Sequence, residues 1–212
     1  MVPLNDLALF VGAAFLMVIT PGPNMIYLMS RSICQGWRAG VLSLFGVATG
    51  FLVHVFAAAV GLTAVFMAVP MAYDLLRWIG ALYLLYLAWQ AVKPSGKSPF
   101  EARQLPHDSP KKLFVMGFLT NALNPKVAVF YLSIFPQFIS PQHGSVFSQS
   151  LELGFTQILV SFSVNFCLIL SAARVSAWFA HNPHWLNIQR YLMGSVLAGL
   201  AVHLMTEQRK TA

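Results

Sequence analysis

Long stretches without a charged side chain are the feature that most restricts what this chain can fold into. Residues 7–30, 39–73 and 153–173 contain no Asp, Glu, Lys or Arg. A helix needs about 20 predominantly apolar residues to cross about 30 Å of hydrocarbon. Only 9% of the residues are charged and 58% are hydrophobic, whereas soluble domains carry about 25% charged residues. The sequence therefore predicts an all-α polytopic membrane protein.

Six spanning helices are predicted from the apolar stretches and the breaks between them. Pro70, followed by Asp74 and Arg77, divides the longest stretch into two spans. The long polar segment 93–112 contains four prolines and separates two groups of three spans. The predicted spans are about 7–30, 41–66, 71–92, 113–135, 148–173 and 186–206. We expect a single transmembrane domain, 1–212, made of repeat one (about 7–92), the 93–112 loop and repeat two (about 113–206).

The distribution of basic residues predicts the orientation. Nine Lys and Arg residues fall in the loops between spans 1–2, 3–4 and 5–6, and three fall on the opposite side. Cytoplasmic loops carry the excess of basic residues, so both termini are expected outside the cytoplasm of a cell inner (plasma) membrane protein. A secretory signal begins with a basic segment, but no basic residue precedes Arg31. The net charge of +7 follows from topology, and no nucleic-acid partner is expected.

Two proline motifs interrupt predicted spans near the middle of the bilayer. Thr20-Pro21-Gly22-Pro23-Asn24 lies in the first span and Asn124-Pro125-Lys126 in the fourth. Proline breaks a helix, and the backbone groups freed in this way are tolerated in hydrocarbon only inside protein or beside a watery cavity. Each motif lies in the first helix of a three-helix half, and an odd number of spans inverts the second half. Matching breaks in inverted repeats indicate a transporter's binding site, although ordinary proline kinks are the alternative.

Further motifs occur in a fixed order along the chain. They are Gly36 and Gly40, Gly46-x3-Gly50, Gly80-Ala81-Leu82-Tyr83-Leu84, Gly117-Phe118-Leu119, Asn121-Ala122-Leu123-Asn124-Pro125-Lys126 and Phe135-Pro136-Gln137-Phe138. With the first break, this pattern resembles the LysE/RhtB family of amino-acid exporters over essentially the whole chain. The resemblance implies two inverted three-helix repeats that export amino acids or related small metabolites, as a secondary transporter or antiporter driven by the proton motive force. It implies a substrate-path role for Pro21, Gly22, Pro23, Asn24, Asn124, Pro125 and Lys126.

Three side chains in the breaks suit a zwitterionic substrate. Asn24 and Asn124 each offer donors and an acceptor, and the two breaks are expected to face each other across the substrate. A charge such as Lys126 in mid-bilayer costs at least ~2.5–3.5 kcal/mol, so it indicates function. The alternatives are that each Asn caps a half-helix, and that Lys126 reaches a watery vestibule or bonds carbonyl groups of its own helix.

Other residues within or beside the spans leave two interpretations open. Asp6, at the outer mouth of the first span, and the histidines could carry protons that couple transport, or could serve only the interface and helix contacts. The side-chain amides of Gln157 and Asn165 could line the path or form hydrogen bonds between helices. Gly46 and Gly50 share one helix face and are expected to permit close helix packing. The polar residues concerned are Asp6, His54, His203, Gln157 and Asn165.

Other classes of function fit the sequence less well. No zinc-protease or serine-hydrolase motif occurs, so no enzyme and no cofactor are expected. Cation sites cluster carboxylates, His or Cys, and none of the six acidic residues falls in mid-span, so no metal site is expected. Transport of another small solute or a metal ion is the alternative, ahead of an intramembrane enzyme or a non-transporting subunit. Expected partners are a small-molecule substrate, membrane lipid and protons, and a homodimer is left open.

Overall fold

The computed structural model describes residues 1–20, 22–68 and 107–181 continuously, and residues 78–93 and 184–206 at scattered positions. These residues form helices and no strand, which confirms the predicted all-α class. A π-helix (Phe130–Ile134) and two 3-10 helices (Phe135–Phe138 and Pro141–His143) connect the α-helix Pro125–Val129 to the α-helix Val146–His181. The continuously described α-helices are α1 (Leu4–Ile19), α2 (Pro23–Gln35), α3 (Trp37–Ala68), α4 (Pro110–Ala122), α5 (Pro125–Val129) and α6 (Val146–His181).

Two of these helices, α3 and α6, are each long and apolar enough to cross a membrane. They contain the predicted spans 41–66 and 148–173. The pair α1–α2, and α4 with residues 125–138, meet the same criteria when each pair is taken together, with bends of 57° and 42°. The described part of the chain thus holds two spans, or four if each bent pair is one. The predicted spans 71–92 and 186–206 lie mostly outside the described residues.

The outer surface of the described helices is apolar. Large side chains such as Phe45, Phe56, Phe155 and Leu159 are between 51% and 67% exposed. A water-soluble protein rarely exposes contiguous apolar area of this kind, whereas hydrocarbon solvates it without cost. The exposed side chains therefore agree with helices that contact lipid.

The helices extend beyond the predicted spans where the basic residues lie. α2 continues past residue 30 to Gln35, and only Gly36, with a φ of 84°, separates it from α3. This left-handed conformation favours glycine. α6 reaches His181, so Arg174, which we assigned to a loop, lies in a helix with its side chain exposed. A helix can pass from hydrocarbon into water because its backbone hydrogen bonds are satisfied internally in both.

A proline begins the helix that follows each break. α1 ends at Ile19, Gly22 is extended, and Pro23 is the first residue of α2. α4 ends at Ala122, and Pro125 is the first residue of α5. Proline fits the first turn of a helix because the amide hydrogen that it lacks would have no partner there. It also prevents the preceding helix from continuing through it.

Glycines bring α3 and α4 into backbone contact. A Cβ atom on Gly46 would clash with the carbonyl oxygen of Phe114, and one on Gly50 would lie 2.7 Å from the carbonyl oxygen of Phe118. The contact is reciprocal, because a Cβ atom on Gly117 would clash with a backbone oxygen of α3. Small residues allow membrane helices to approach closely. This contact holds the end of α4, and so the second break, beside α3.

The bent pair α1–α2 begins and ends at opposite ends of the bundle. At its beginning, the Val2 amide donates to Glu152 Oε2 at 3.1 Å, close to the start of α6. Near its end, a guanidinium nitrogen of Arg31 lies 2.5 Å from Asp108 Oδ2, just before α4. The starts of α1 and α6 therefore share one end of the bundle, and the end of α2 and the start of α4 share the other.

Asp108 links α2 to α4 through two cations. Besides Arg31, it contacts Lys112 Nζ at 2.6 Å through Oδ1. The hydrogen bond from Lys112, with the charge of Arg31, lowers the pKa of Asp108 below its ordinary value of 3.8. A lowered carboxyl pKa stabilises the folded state above the ordinary pKa. The stabilisation is therefore complete near neutral pH and is lost as the pH falls below about 3.8.

We expect Gly46→Ala to destabilise the protein, because the added methyl group meets backbone that cannot turn aside. Overpacking of this kind costs roughly 1–3 kcal/mol. The matched control is Gly12→Ala in α1, since a Cβ atom there has nothing within 4 Å. Thermal unfolding in detergent should show a lower Tm for Gly46→Ala only. Equal Tm values for both variants would contradict the backbone contact between α3 and α4.

Candidate functional site

The two helix breaks meet through hydrogen bonds between asparagine side chains. Asn124 Nδ2 donates to Asn24 Oδ1 at 3.0 Å, and Asn24 Nδ2 donates to Asn121 Oδ1 at 2.7 Å. Asn24 lies in the first turn of α2, and Asn124 immediately precedes α5. The breaks therefore lie at the same level of the bundle. They touch directly in this structure, whereas the sequence pattern led us to expect a substrate between them.

Asn121 connects this contact to α3. It is completely buried, and its Nδ2 donates to the carbonyl oxygen of Val47 at 2.8 Å. Its own backbone oxygen accepts a hydrogen bond from His54 Nε2 at 2.9 Å. Sequence reasoning did not select Asn121 as a site residue. Its spacing of three residues from Asn124, one helical turn, was the available signal.

Lys126 crosses from the second break to the first. Its Nζ donates to the carbonyl oxygen of Thr20 at 2.5 Å, and its side chain packs on Gly22, where a Cβ atom would lie 3.2 Å from Nζ. α1 ends at Ile19, and Thr20 O follows that end, so the ammonium group satisfies an oxygen that an uninterrupted helix would have bonded. Asn124 Oδ1 accepts from the Lys126 amide at 3.0 Å, so Asn124 is a helix cap as well as a contact between the breaks.

A small cavity lies where the breaks, α3 and α6 meet. The space open to the centre of a water molecule is about 20 Å³. This is room for about one water and too little for an amino acid. One part of the lining is polar and includes Lys126, the one charged residue among the described lining residues; the other part is apolar. The polar lining residues are Thr20, Gly22, Asn24, Asn124, Lys126, Ser161 and Asn165, and the apolar ones are Met17, Val18, Met25, Phe51 and Val127.

Ser161 and Asn165 on α6 line the cavity opposite the breaks, and Gln157 lies one turn before Ser161 on the same helix. Gln157, Ser161 and Asn165 are spaced by four residues, so they share one helix face, and none is more than 4% exposed. Asn165 Nδ2 donates to the carbonyl oxygen of Ser161 at 2.8 Å. Asn165 therefore bonds within its own helix while it lines the cavity. Ser161 was missed from the sequence, because a single serine in an apolar helix carries no distinctive signal.

Side-chain contacts close the bundle on both sides of the cavity. Toward α4, Tyr27 Oη donates to the carbonyl oxygen of Leu113 at 2.7 Å, next to the Arg31–Asp108 ion pair. Toward the start of α1, the ring of Phe10 packs against those of Phe130, Phe135 and Phe138, with centroids 5.3–5.9 Å apart.

The remaining predicted site residues do not line the cavity. Pro23 and Pro125 are exposed and begin the restarted helices. Asp6 lies in the first turn of α1, about 20 Å along that helix from Thr20. His54 is buried one hydrogen bond from Asn121. Gly46 and Gly50 lie in the α3–α4 contact, and Pro21 and His203 lie outside the described residues.

Metal-binding side chains do not gather in the part of the chain described here. No three His, Cys, Asp or Glu residues of that part lie close enough to hold an ion. The candidate site is instead a cavity of amides, hydroxyls, backbone carbonyls and one ammonium group. Such groups can recognise a small zwitterion by hydrogen bonds and charge.

Comparison with known proteins agrees with the sequence pattern. The model of the LysE type translocator family matches residues 15–208. The homoserine/homoserine lactone efflux protein of Salmonella typhimurium is 35% identical over 163 residues, which cover 77% of this chain and 78% of that protein. The leucine efflux protein of Salmonella choleraesuis is 31% identical over an alignment that covers 97% of this chain and 96% of that protein. No solved structure matches significantly.

The family match extends over both helix breaks and nearly the whole length of the chain. It agrees with the apolar spans and with the interrupted helices that meet inside the bundle. This multi-pass membrane protein is therefore a transporter and not an enzyme, and it belongs to the LysE type translocator family.

Proposed function

We propose that residues 1–212 form one transmembrane domain of six spans in the cell inner membrane, with repeats of about 7–92 and 113–206 in inverted orientation. The hydrogen bond between Val2 and Glu152 supports this topology, because it puts the chain start and the loop after the fourth span at one end. The Arg31–Asp108 ion pair supports a common opposite end for the loops after the first and third spans. The excess of basic residues assigns that opposite end to the cytoplasm. We call the end that holds Val2 the outer end.

A reporter fused after Ala212 tests the topology, because six spans return the C-terminus to the side of the N-terminus. Alkaline phosphatase, which is active only outside the cytoplasm, should be active in this fusion. The same reporter inserted in the 93–112 loop is the matched control and should be inactive. An inactive fusion after Ala212 with an active loop insertion would overturn the orientation, and two active fusions would overturn the span count.

We propose that the chain exports neutral amino acids or closely related small metabolites from the cytoplasm. The observation that carries the proposal is the meeting of two helix breaks, one from each half, at a cavity that holds Lys126. Discontinuous helices that meet in mid-membrane are the usual binding sites of secondary transporters. The relatives named for efflux of homoserine, homoserine lactone and leucine support the direction and the substrate class.

The hydrogen bond from Lys126 to Thr20 O suggests how a zwitterion binds. The substrate's carboxylate would accept from Lys126 Nζ, and its ammonium group would donate to the freed Thr20 oxygen. One internal bond is thus replaced by two bonds to the substrate. The amino end of α2 at Gly22 adds positive partial charge on the carboxylate side, and the amides of Asn24 and Asn124 can separate from each other and bond to the substrate.

The lining of the cavity favours an uncharged substrate side chain. Among the residues described around it, Lys126 is the one charged group and no carboxylate is present. A basic side chain would therefore enter a site of like charge, which costs free energy in a region of low dielectric constant. The apolar lining, including Met25 and Phe51, suits a small aliphatic group. This electrostatic argument supports neutral amino acids over lysine or arginine.

We propose that His54 couples transport to the proton motive force. Its Nε2 donates to Asn121 O, and the Asn121 side chain accepts from Asn24. Protonation of His54 at Nδ1 can therefore affect the first break through one intervening residue, Asn121. His54 also stacks on Tyr131, with ring centroids 5.7 Å apart. Histidine changes its charge near neutral pH. Asp6 is less suited, because it lies near the outer end of α1.

Efflux from proteoliposomes tests the function. Vesicles loaded with labelled leucine, homoserine, lysine or glutamate should release leucine or homoserine faster when a proton gradient is imposed. Lysine, which places a second cation near Lys126, should be released no faster than from liposomes without the protein. Failure to release any neutral amino acid under a gradient would overturn the proposed function. Release that ignores the gradient would overturn only the proton coupling.

Substitution of Lys126 or Asn24 tests the site. A hydrogen bond to a charged group contributes roughly 1.5–3 kcal/mol, so Lys126→Met should lower efflux roughly 10- to 100-fold. Asn24→Ala should lower it similarly, because it removes the contact between the breaks. Lys111→Met, at an exposed position at the start of α4, is the matched control and should retain efflux. With equal amounts of protein in the membrane, full efflux by both site variants would show that the site lies elsewhere.

A further inference from the structure

Gln157 is a buried amide that uses little of its hydrogen-bonding capacity among the described residues. Its side chain has no exposed surface, and its Oε1 has no partner among the described residues. Its Nε2 makes one weak contact, with Met17 Sδ at 3.8 Å. Buried side-chain amides are normally bonded, because an unsatisfied polar group loses its hydration without compensation. A glutamine in this position therefore needs an explanation other than stability.

The position of Gln157 relative to the cavity provides one. Met17 lines the cavity, and its Sδ contacts Gln157 Nε2. Gln157 also lies one helical turn, about 6 Å, before the cavity residue Ser161. That direction leads to the start of α6, which shares the outer end of the bundle with Val2. Gln157 thus lies next to the cavity, one turn toward the outer end, in contact with the lining residue Met17.

We propose that Gln157 is a second substrate-binding residue, on the exit path from the cavity to the outer end. The inference rests on the proposed function, because it assigns a further step to the same substrate. The free Oε1 accepts a hydrogen bond from the ammonium group of a departing amino acid, and Nε2 can exchange its weak thioether contact for the carboxylate. Methionine has three rotatable bonds and repacks readily, so Met17, which contacts both positions, is the movable side chain.

The polar face of α6 gives this path its continuity. Asn165 and Ser161 line the cavity, and Gln157 follows them at the same spacing toward the outer end. Each step of four residues is about 6 Å, which is short enough for a small zwitterion to bond to one position before it leaves the last. A substrate passing along apolar side chains alone would lose its hydrogen bonds during that step.

Gln157→Met separates this role from a structural one. Methionine has a similar length and removes the unpaired amide, so it should leave Tm in detergent unchanged or raise it. The matched control is Thr156→Val, because Thr156 is on the adjacent position of α6 and its hydroxyl bonds to Glu152 O in its own helix. We expect Gln157→Met to reduce leucine efflux about tenfold, whereas Thr156→Val should stay within twofold of the wild type.

Exchange measurements add a readout specific to the outer side. In Gln157→Met, the external leucine concentration for half-maximal exchange should rise about tenfold, while the internal one should change by less than twofold. Efflux and exchange within twofold of the wild type would overturn the inference alone. So would a lower Tm with equal losses on both sides, since that is the result of a structural role. A wild type that carries no amino acid would overturn the proposed function, and this inference with it.

Discussion

Hydrocarbon offers no water to a backbone carbonyl that has lost its helical partner, and the interior of this bundle is arranged around that constraint. α1 and α4 cannot continue through the prolines that begin α2 and α5. The backbone carbonyl oxygens at the ends of α1 and α4 therefore need other donors. Thr20 O accepts from Lys126 Nζ, and Asn121 O accepts from both the Asn124 amide and His54 Nε2. Both breaks must therefore be buried against other helices, and they are buried against each other.

The groups that satisfy the breaks are also those that we propose to bind the substrate. Asn24, Asn124 and Lys126 form bonds across the breaks that a zwitterion can replace with bonds of the same kind. Aromatic packing around Phe10 closes the outer side, and Tyr27 with the Arg31–Asp108 ion pair closes the other. In the transport path that we propose, the two closures would open in turn.

The sequence was most informative where a residue type has one strong physical consequence. Charge-free stretches predicted the helices, and prolines predicted the breaks. Residues whose role depends on neighbours from distant parts of the chain were harder to find. Asn121 belongs to the same motif as Asn124 but carries no sign of its partner on α3, and Ser161 is a lone serine in an apolar helix. Asn121 nevertheless joins the breaks to α3, and Ser161 lines the cavity. The helices also run beyond the predicted spans to Gln35 and His181, because apolar content marks the limit of hydrocarbon and not the end of a helix.

The sequence by itself determined the all-α class, the apolar spans, the two breaks and the family, because proline geometry and the cost of charge in hydrocarbon act locally along the chain. The tertiary structure decided which groups meet. It placed Asn124 on Asn24 and Lys126 on Thr20, and it left Gln157 without a partner for its Oε1 in the described residues. Hydrogen bonds across 100 or more residues depend on how helices pack. The Gly46 and Gly50 pattern predicted a close helix contact but did not specify which helix would make it.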